Sequence, residues 1–154
     1  MKQNNNSTIY INTDGGSRGN PGPAAIGVVF TDDDGEEIYC CQKFIGRGTN
    51  NEAEYQAIIT ALEVLLKSKW FVENNSDSHN VICRLDSKLV VEQINGNWKI
   101  KQDHIAVFIK TIRELIARMK LRISFIHIPR EQNKRADCLV NLALDEELKS
   151  KTVS

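Results

Sequence analysis

The chain lacks a long apolar run, a net charge and a paired-cysteine signature. None of its 154 residues belongs to a stretch approaching the roughly 20 apolar residues that a membrane-spanning helix needs. The opening Met-Lys-Gln-Asn-Asn-Asn-Ser has no apolar centre of the kind a secretion leader carries. Both absences predict a cytoplasmic protein with no membrane partner. Cys40, Cys41, Cys83 and Cys138 contain no C-x-x-C pair, which argues against zinc and redox chemistry. Cys40 and Cys41 are neighbours in a predicted strand, so they should point to opposite faces, and buried reduced thiols are expected. The 20 basic and 20 acidic residues cancel, leaving no global positive field to attract nucleic acid. That objection weakens if several of the acids are neutralised by metal, because the remaining surface is then net basic.

At 41% hydrophobic and 26% charged, the chain has the balance of one globular domain with a single core. Residues 1–7 and 149–154 read as loose tails around a domain at 8–148. Residues 8–14 alternate, with Ile9, Ile11 and Thr13 opposite Tyr10, Asn12 and Asp14. Residues 25–30 and 37–45 make two further strands. Gly-Gly-Ser-Arg-Gly-Asn-Pro-Gly-Pro separates the first two strands and reads as loop. Such short connections predict antiparallel pairing.

The period then changes. Ala57, Ile58, Ala61, Leu62, Leu65 and Leu66 recur at helical spacing, and Thr49 with Glu52 forms a capping box that starts the helix near Asn50. Residues 68–80 read as a surface loop, 81–86 as a fourth strand, and a brief helix ends near Gly96. Asp103 is placed to cap the next helix, whose stripe is Ile105, Phe108, Ile109, Ile112, Leu115, Ile116 and Met119. A fifth strand at 121–128 and a helix from Asn133 to about residue 148 complete a mixed sheet covered by helices.

Four acids stand where strands end or helices begin: Asp14, Glu54, Asp86 and Asp137. Carboxylates drawn from distant segments suit hard divalent cations such as Mg2+ and Mn2+, held against a phosphate. Asp14 precedes Gly15-Gly16, which permits close approach of a backbone or a phosphate. Glu54 shares the helix face of Ala57, Ile58, Ala61 and Leu65, where a charge is costly unless it is paired or metal-bound. Each acid also has an ordinary reading. Asp137 suits a helix N-terminus, Asp14 a turn, Asp86 a helix start, and Glu54 an ion pair with a base on another element.

The local phrases carry a family resemblance. Asp14-Gly15-Gly16-Ser17 with Gly19-Asn20-Pro21-Gly22, Thr49-Asn50-Asn51 with Glu54, Asp86-Ser87, and Asn133 with Ala136-Asp137 resemble, in this order, the type 1 ribonuclease H family. The resemblance runs from about residue 9 to 143. It implies an α/β, ribonuclease H-like fold with a five-stranded mixed sheet, strands 1 to 3 antiparallel and helices on both faces. It also implies an endonuclease that hydrolyses the RNA strand of RNA–DNA hybrids with little sequence preference, leaving 5′-phosphate and 3′-hydroxyl ends. Asp14, Glu54, Asp86 and Asp137 would be its catalytic residues and would hold two Mg2+ or Mn2+ ions about 4 Å apart, with Asp14 bridging them. Gly16, Asn20, Asn51 and Ser87 fall at positions near the 2′-hydroxyls of the RNA strand. Arg47 and Thr49 fall at a pocket for a phosphate of the DNA strand. A monomer without a protein partner is expected.

Two segments depart from the family pattern. The loop before the last helix, Ile128-Pro129-Arg130-Glu131-Gln132-Asn133, lacks the histidine found in many relatives, so Arg130 or Glu131 is the candidate replacement. His127 is expected to be a packed strand residue, and His79 and His104 surface ones. Between Gly96 and Asp103 there is no inserted basic helix, leaving Trp98 with Lys99 and Lys101 as the candidate contact to the DNA strand. Two alternatives remain open: a catalytically silent binder on the same fold, and a nuclease for double-stranded RNA or DNA.

Overall fold

The computed structural model describes residues 7–153, with side chains to Lys151. The strands are β1 (Thr8–Ser17), β2 (Gly22–Thr31), β3 (Glu37–Gly48), β4 (Asn80–Leu85) and β5 (Arg122–His127). The helices are α1 (Asn50–Lys67), α2 (Lys69–Asn74), α3 (Lys88–Ile94), α4 (Asp103–Ala117) and α5 (Lys134–Val153). One sheet in the order β3-β2-β1-β4-β5 holds all five strands. β1–β2 and β2–β3 are antiparallel, as their short connections predict, whereas β1–β4 and β4–β5 are parallel.

Helices cover both faces, and β2 shows why. Its Ile26, Val28 and Phe30 join Ile58, Ala61, Leu62 and Leu65 of α1 in the main core. Its Ala25 and Val29 turn the other way, toward Ala136, Leu139, Val140, Ala143 and Leu144 of α5. A strand buried on both sides needs apolar residues at every position, and residues 24–30 of β2 are all apolar and buried. Between these sits Gly27, where a Cβ would overlap the Ala136 carbonyl, so α5 lies directly on the strand backbone. α4 lays its predicted stripe against α1, with the Tyr55 and Phe108 rings stacked at 6.0 Å. No helix among the described residues is long and apolar enough to cross a membrane.

Several local expectations are corrected. The glycine-rich segment after Asp14 is mostly strand: β1 continues through Gly15, Gly16 and Ser17, which pair with Ile26, Ala25 and Ala24. Only residues 18–21 form the turn, and it contains a cis Asn20–Pro21 bond. Residues 69–74 form α2 rather than loop, because the Ser68 hydroxyl accepts from the Phe71 amide and caps a new helix. Asp103 is the first residue of α4 and not its cap; Gln102 holds that position without a side-chain hydrogen bond.

α5 runs on to Val153, past the tail expected from 149. No glycine or proline interrupts that stretch, and Lys151 in the last turn suits the helix dipole. Residues 1–6 of the expected N-terminal tail lie outside the described residues. Ser7 is tied down, its amide donating to His79 Nδ1 at 3.1 Å. Cys40 and Cys41 do face opposite sides, Cys41 toward the α1 core and Cys40 toward α5. All four thiols are free, but only Cys83 is buried and Cys138 is exposed. His127 is exposed as well, because nothing covers the last residue of the edge strand β5.

Candidate active site

Asp14 and Asp86 meet because β1 and β4 run parallel. Asn12 is in register with Arg84, so two residues further on both chains deliver an aspartate at the same end of the sheet. Glu54 arrives from α1. Thr49 Oγ1 accepts from the Glu52 amide at 3.1 Å while Glu52 Oε1 accepts from the Thr49 amide at 2.8 Å, so the predicted capping box fixes the start of that helix. Gly15 then lets the first turn of α1 settle on β1, since a Cβ there would overlap the Ala53 carbonyl. The Gly15 amide donates to Glu54 Oε1 at 3.2 Å.

Asp14, Glu54 and Asp86 each offer a carboxylate oxygen, all within 4.8 Å of one another. Asp137, in the first turn of α5, lines the same cavity, close enough for its charge to act on Asp14. These four acids and Arg130 line one cavity of about 380 Å³. Asp14 and Glu54 are both only 8% exposed.

Packing carboxylates this closely disfavours their charged forms. Burial, then the charges of Asp86 and Asp137, push the Asp14 carboxyl from its ordinary 3.8 up to about 8. Glu54 is raised well above its ordinary value, first by burial and then by Asp14 and Asp86. The Gly15 amide and the Arg130 charge pull it the other way. A buried set of oxygen donors with unbalanced negative charge fits a hard divalent cation.

A second depression of about 550 Å³ adjoins the first through Glu54, which lines both. Asn20, Thr49, Asn51 and Ser87 line it together, as does His104, whose Nε2 lies 3.4 Å from Glu52 Oε2. Gly16 lines the acid cavity. Of the other expected positions, Arg130 reaches the acids, whereas Glu131 is exposed and lines neither cavity. Arg47 is exposed on the edge strand β3, and Trp98 is 44% exposed with Lys88 Nζ 5.9 Å from its ring centre. Both lie outside the two cavities.

Asn50 and Asn133, present in the sequence only as parts of the family phrases, have structural roles at the site that the phrases do not assign. Asn50 Oδ1 accepts from the Ser17 amide at 2.8 Å, and the Asn50 amide donates to Asn20 Oδ1 at 3.0 Å, so it joins three segments. Asn133 is 1% exposed and donates through Nδ2 to Asp86 Oδ2 at 3.2 Å. An asparagine is common at turns and helix starts, so its residue type alone does not signal such a role.

Comparison with known proteins agrees with this geometry. A family model described as "Reverse transcriptase-like" matches residues 12–143. A bifunctional protein of Mycobacterium tuberculosis is 39% identical over 139 residues, 89% of this chain but 35% of its own length. This chain therefore spans about a third of that relative. Ribonuclease H of Clostridium botulinum is 33% identical over 148 residues, covering 90% of this chain and 96% of that protein. Among solved structures, LC11-RNase H1 in complex with RNA/DNA hybrid superposes with a TM-score of 0.83. It shares 43% identity and covers 91% of this chain and 99% of that one. With the same fold, and with its motif residues gathered at one end of the sheet, the chain belongs to the type 1 ribonuclease H family.

Proposed function

We propose that this chain is an endonuclease that hydrolyses the RNA strand of RNA–DNA hybrids, leaving 5′-phosphate and 3′-hydroxyl ends. The observation that carries the reading is the meeting of Asp14, Glu54 and Asp86 oxygens within 4.8 Å, with Asp137 lining the same cavity. The resemblance of the fold to a protein solved with RNA/DNA hybrid supports the choice of substrate.

Asp14, Glu54, Asp86 and Asp137 would hold the ions. The chemistry that two Mg2+ or Mn2+ ions supply at such a site is charge neutralisation on the scissile phosphate and a lowered pKa for the attacking water. The chain's own contribution is preorganisation. Glu54 Oε1 is held by the Gly15 amide and Asp86 Oδ2 by Asn133, so each carboxylate is oriented before anything binds. Asp14 and Glu54 are buried enough for opposite charge to act strongly there.

Asn20, Asn51, Ser87 and Gly16 present amide, hydroxyl and backbone groups beside Glu54, where 2′-hydroxyls can be hydrogen-bonded. Thr49 with Arg47, close in sequence at the end of β3, would grip a phosphate of the DNA strand. Trp98 and Lys88 would add stacking and charge at the rim. Phosphates are alike along a strand, so such contacts position the hybrid without reading sequence. We propose a monomer acting in the cytoplasm without a protein partner.

The test compares end-labelled RNA–DNA hybrid, RNA duplex and DNA duplex with Mg2+, with Mn2+ and with chelator. Cleavage of the RNA strand of the hybrid alone, dependent on metal, is expected. Preferential cutting of either other duplex would reassign the substrate, and intact hybrid in both metals would make this a silent member of the family.

A further inference from the structure

One pleat below Asp14 and Asp86, on the same face of the sheet, the parallel register of β1 and β4 sets Asn12 beside Arg84. Arg84 Nε donates to Asn12 Oδ1 at 2.7 Å. Asn12 Nδ2 donates to Asn133 Oδ1 at 3.0 Å. Asn133 Nδ2 donates in turn to the Thr13 carbonyl at 2.9 Å and to Asp86 Oδ2 at 3.2 Å. The relay starts at a well-seated guanidinium, whose central carbon lies 4.5 Å over the Tyr10 ring.

The direction of this relay is forced by chemistry. Arginine has donors and no acceptor, so only the oxygen of Asn12 can face it. The Asn12 NH2 must then point at Asn133, which therefore presents its oxygen to Asn12 and its own NH2 to Asp86. If Arg84 is lost, Asn12 Oδ1 loses its charged donor and Asn12 is held from one side only, by the Asn133 oxygen, so the chain of bonds behind Asp86 slackens. We propose that Arg84 and Asn12 are positioning residues that orient the Asp86 carboxylate through Asn133 and so raise the site's affinity for divalent ions. Neither lines the two cavities, so their influence reaches the site through the relay rather than by touching substrate. The kinetic part of this inference rests on the ribonuclease H reading above; the metal-binding part stands apart from it.

The experiment measures Mn2+ binding to the metal-free protein by titration calorimetry. It also measures Mn2+ for half-maximal cleavage, KM for hybrid, and Tm. The proteins are wild type, Arg84→Met, Arg84→Lys, Asn133→Ala and the double variant Arg84→Met/Asn133→Ala. Asn133→Ala is expected to weaken Mn2+ roughly 10–100-fold, the range found when a direct partner of a ligand is removed. Arg84→Met, three hydrogen bonds from Asp86, is expected to weaken it about threefold to tenfold with little change in KM for hybrid. Arg84→Lys keeps the charge but loses the planar fork, and should fall between wild type and Arg84→Met.

Added to Asn133→Ala, Arg84→Met should cost less than about twofold more, because the relay is already cut. Undiminished multiplication of the two effects would overturn the relay. So would a lowered Tm with wild-type Mn2+ affinity, which marks a purely structural role. Should Arg84→Met not fold, wild-type Mn2+ affinity in Arg84→Lys would count equally against it. Wild-type protein that binds Mn2+ with the expected variant pattern yet leaves hybrid intact would sink the functional reading alone.

Discussion

Gly15 of β1 and Ala53 of α1 touch backbone to backbone, and the residue after Ala53 is the buried Glu54. The contact sets how deeply the helix carries its carboxylate into the acid cluster. Gly15→Ala should push the first turn of α1 outward and loosen the Gly15–Glu54 hydrogen bond. Overpacking of this kind costs about 1–3 kcal/mol, so Tm should fall by about 5 °C with a larger proportional loss of kcat. Wild-type Tm and kcat in this variant would show that the close approach does not position Glu54.

Asp14→Asn removes an acid whose charge is opposed by burial and by two neighbouring carboxylates. Cleavage should drop at least about 1,000-fold, as for loss of a principal electrostatic group. Hybrid binding measured without turnover should stay near wild type. Without metal the variant should melt higher than wild type, since one source of repulsion is gone. Near-full activity would remove Asp14 from the chemistry.

The same residue predicts a pH effect on stability. With a folded value of about 8 against an ordinary 3.8, Asp14 keeps a proton in the metal-free fold that the unfolded chain has already released. Between about pH 4 and pH 8 the folded state therefore binds more protons, and its stability falls as pH rises. Thermal melts of metal-free protein should show a lower Tm at pH 8 than at pH 5.5, and a flatter dependence in Asp14→Asn. Mg2+ should raise Tm more at pH 8 than at pH 5.5, because it takes over the neutralising role of the proton. Identical slopes in wild type and variant would refute the assignment.

Arg130 and Glu131, equal candidates for the loop role on sequence, separate in the structure. Arg130 lines the acid cavity and its charge lowers the Glu54 pKa, whereas Glu131 points to neither cavity. Arg130→Ala is expected to reduce kcat about tenfold, with Glu131→Ala and His127→Ala close to wild type. Steady-state and single-turnover rates on hybrid, measured together, will show whether chemistry or product release is slowed. A larger loss in Glu131→Ala would reverse the choice.

Much of this molecule can be read along the chain. The alternation in β1, the stripe of α4 and the capping box at Thr49 and Glu52 are local patterns, each arising from residues within a few positions of one another. The misread segments are those where distant partners decide. Gly15 and Gly16 look like turn residues, yet they are strand because they pair with Ile26 and Ala25 of β2, and at Gly15 the first turn of α1 leaves no room for a Cβ. His127 has the apolar alternation of a packed position, but β5 is an edge and leaves it bare.

The sequence by itself determined which side chains were available for the chemistry: four acids set at strand ends and helix starts, in phrases that resemble one family. Tertiary structure alone decided that three of their carboxylates stand within 4.8 Å, with Asp137 lining the same cavity. It also decided that Arg84, Asn12 and Asn133 stand behind Asp86. The physical reason is separation along the chain. Asp14 and Asp86 are joined by the register of two parallel strands, and Asn12 and Asn133 by the way α5 closes over the sheet. No local periodicity records either relation.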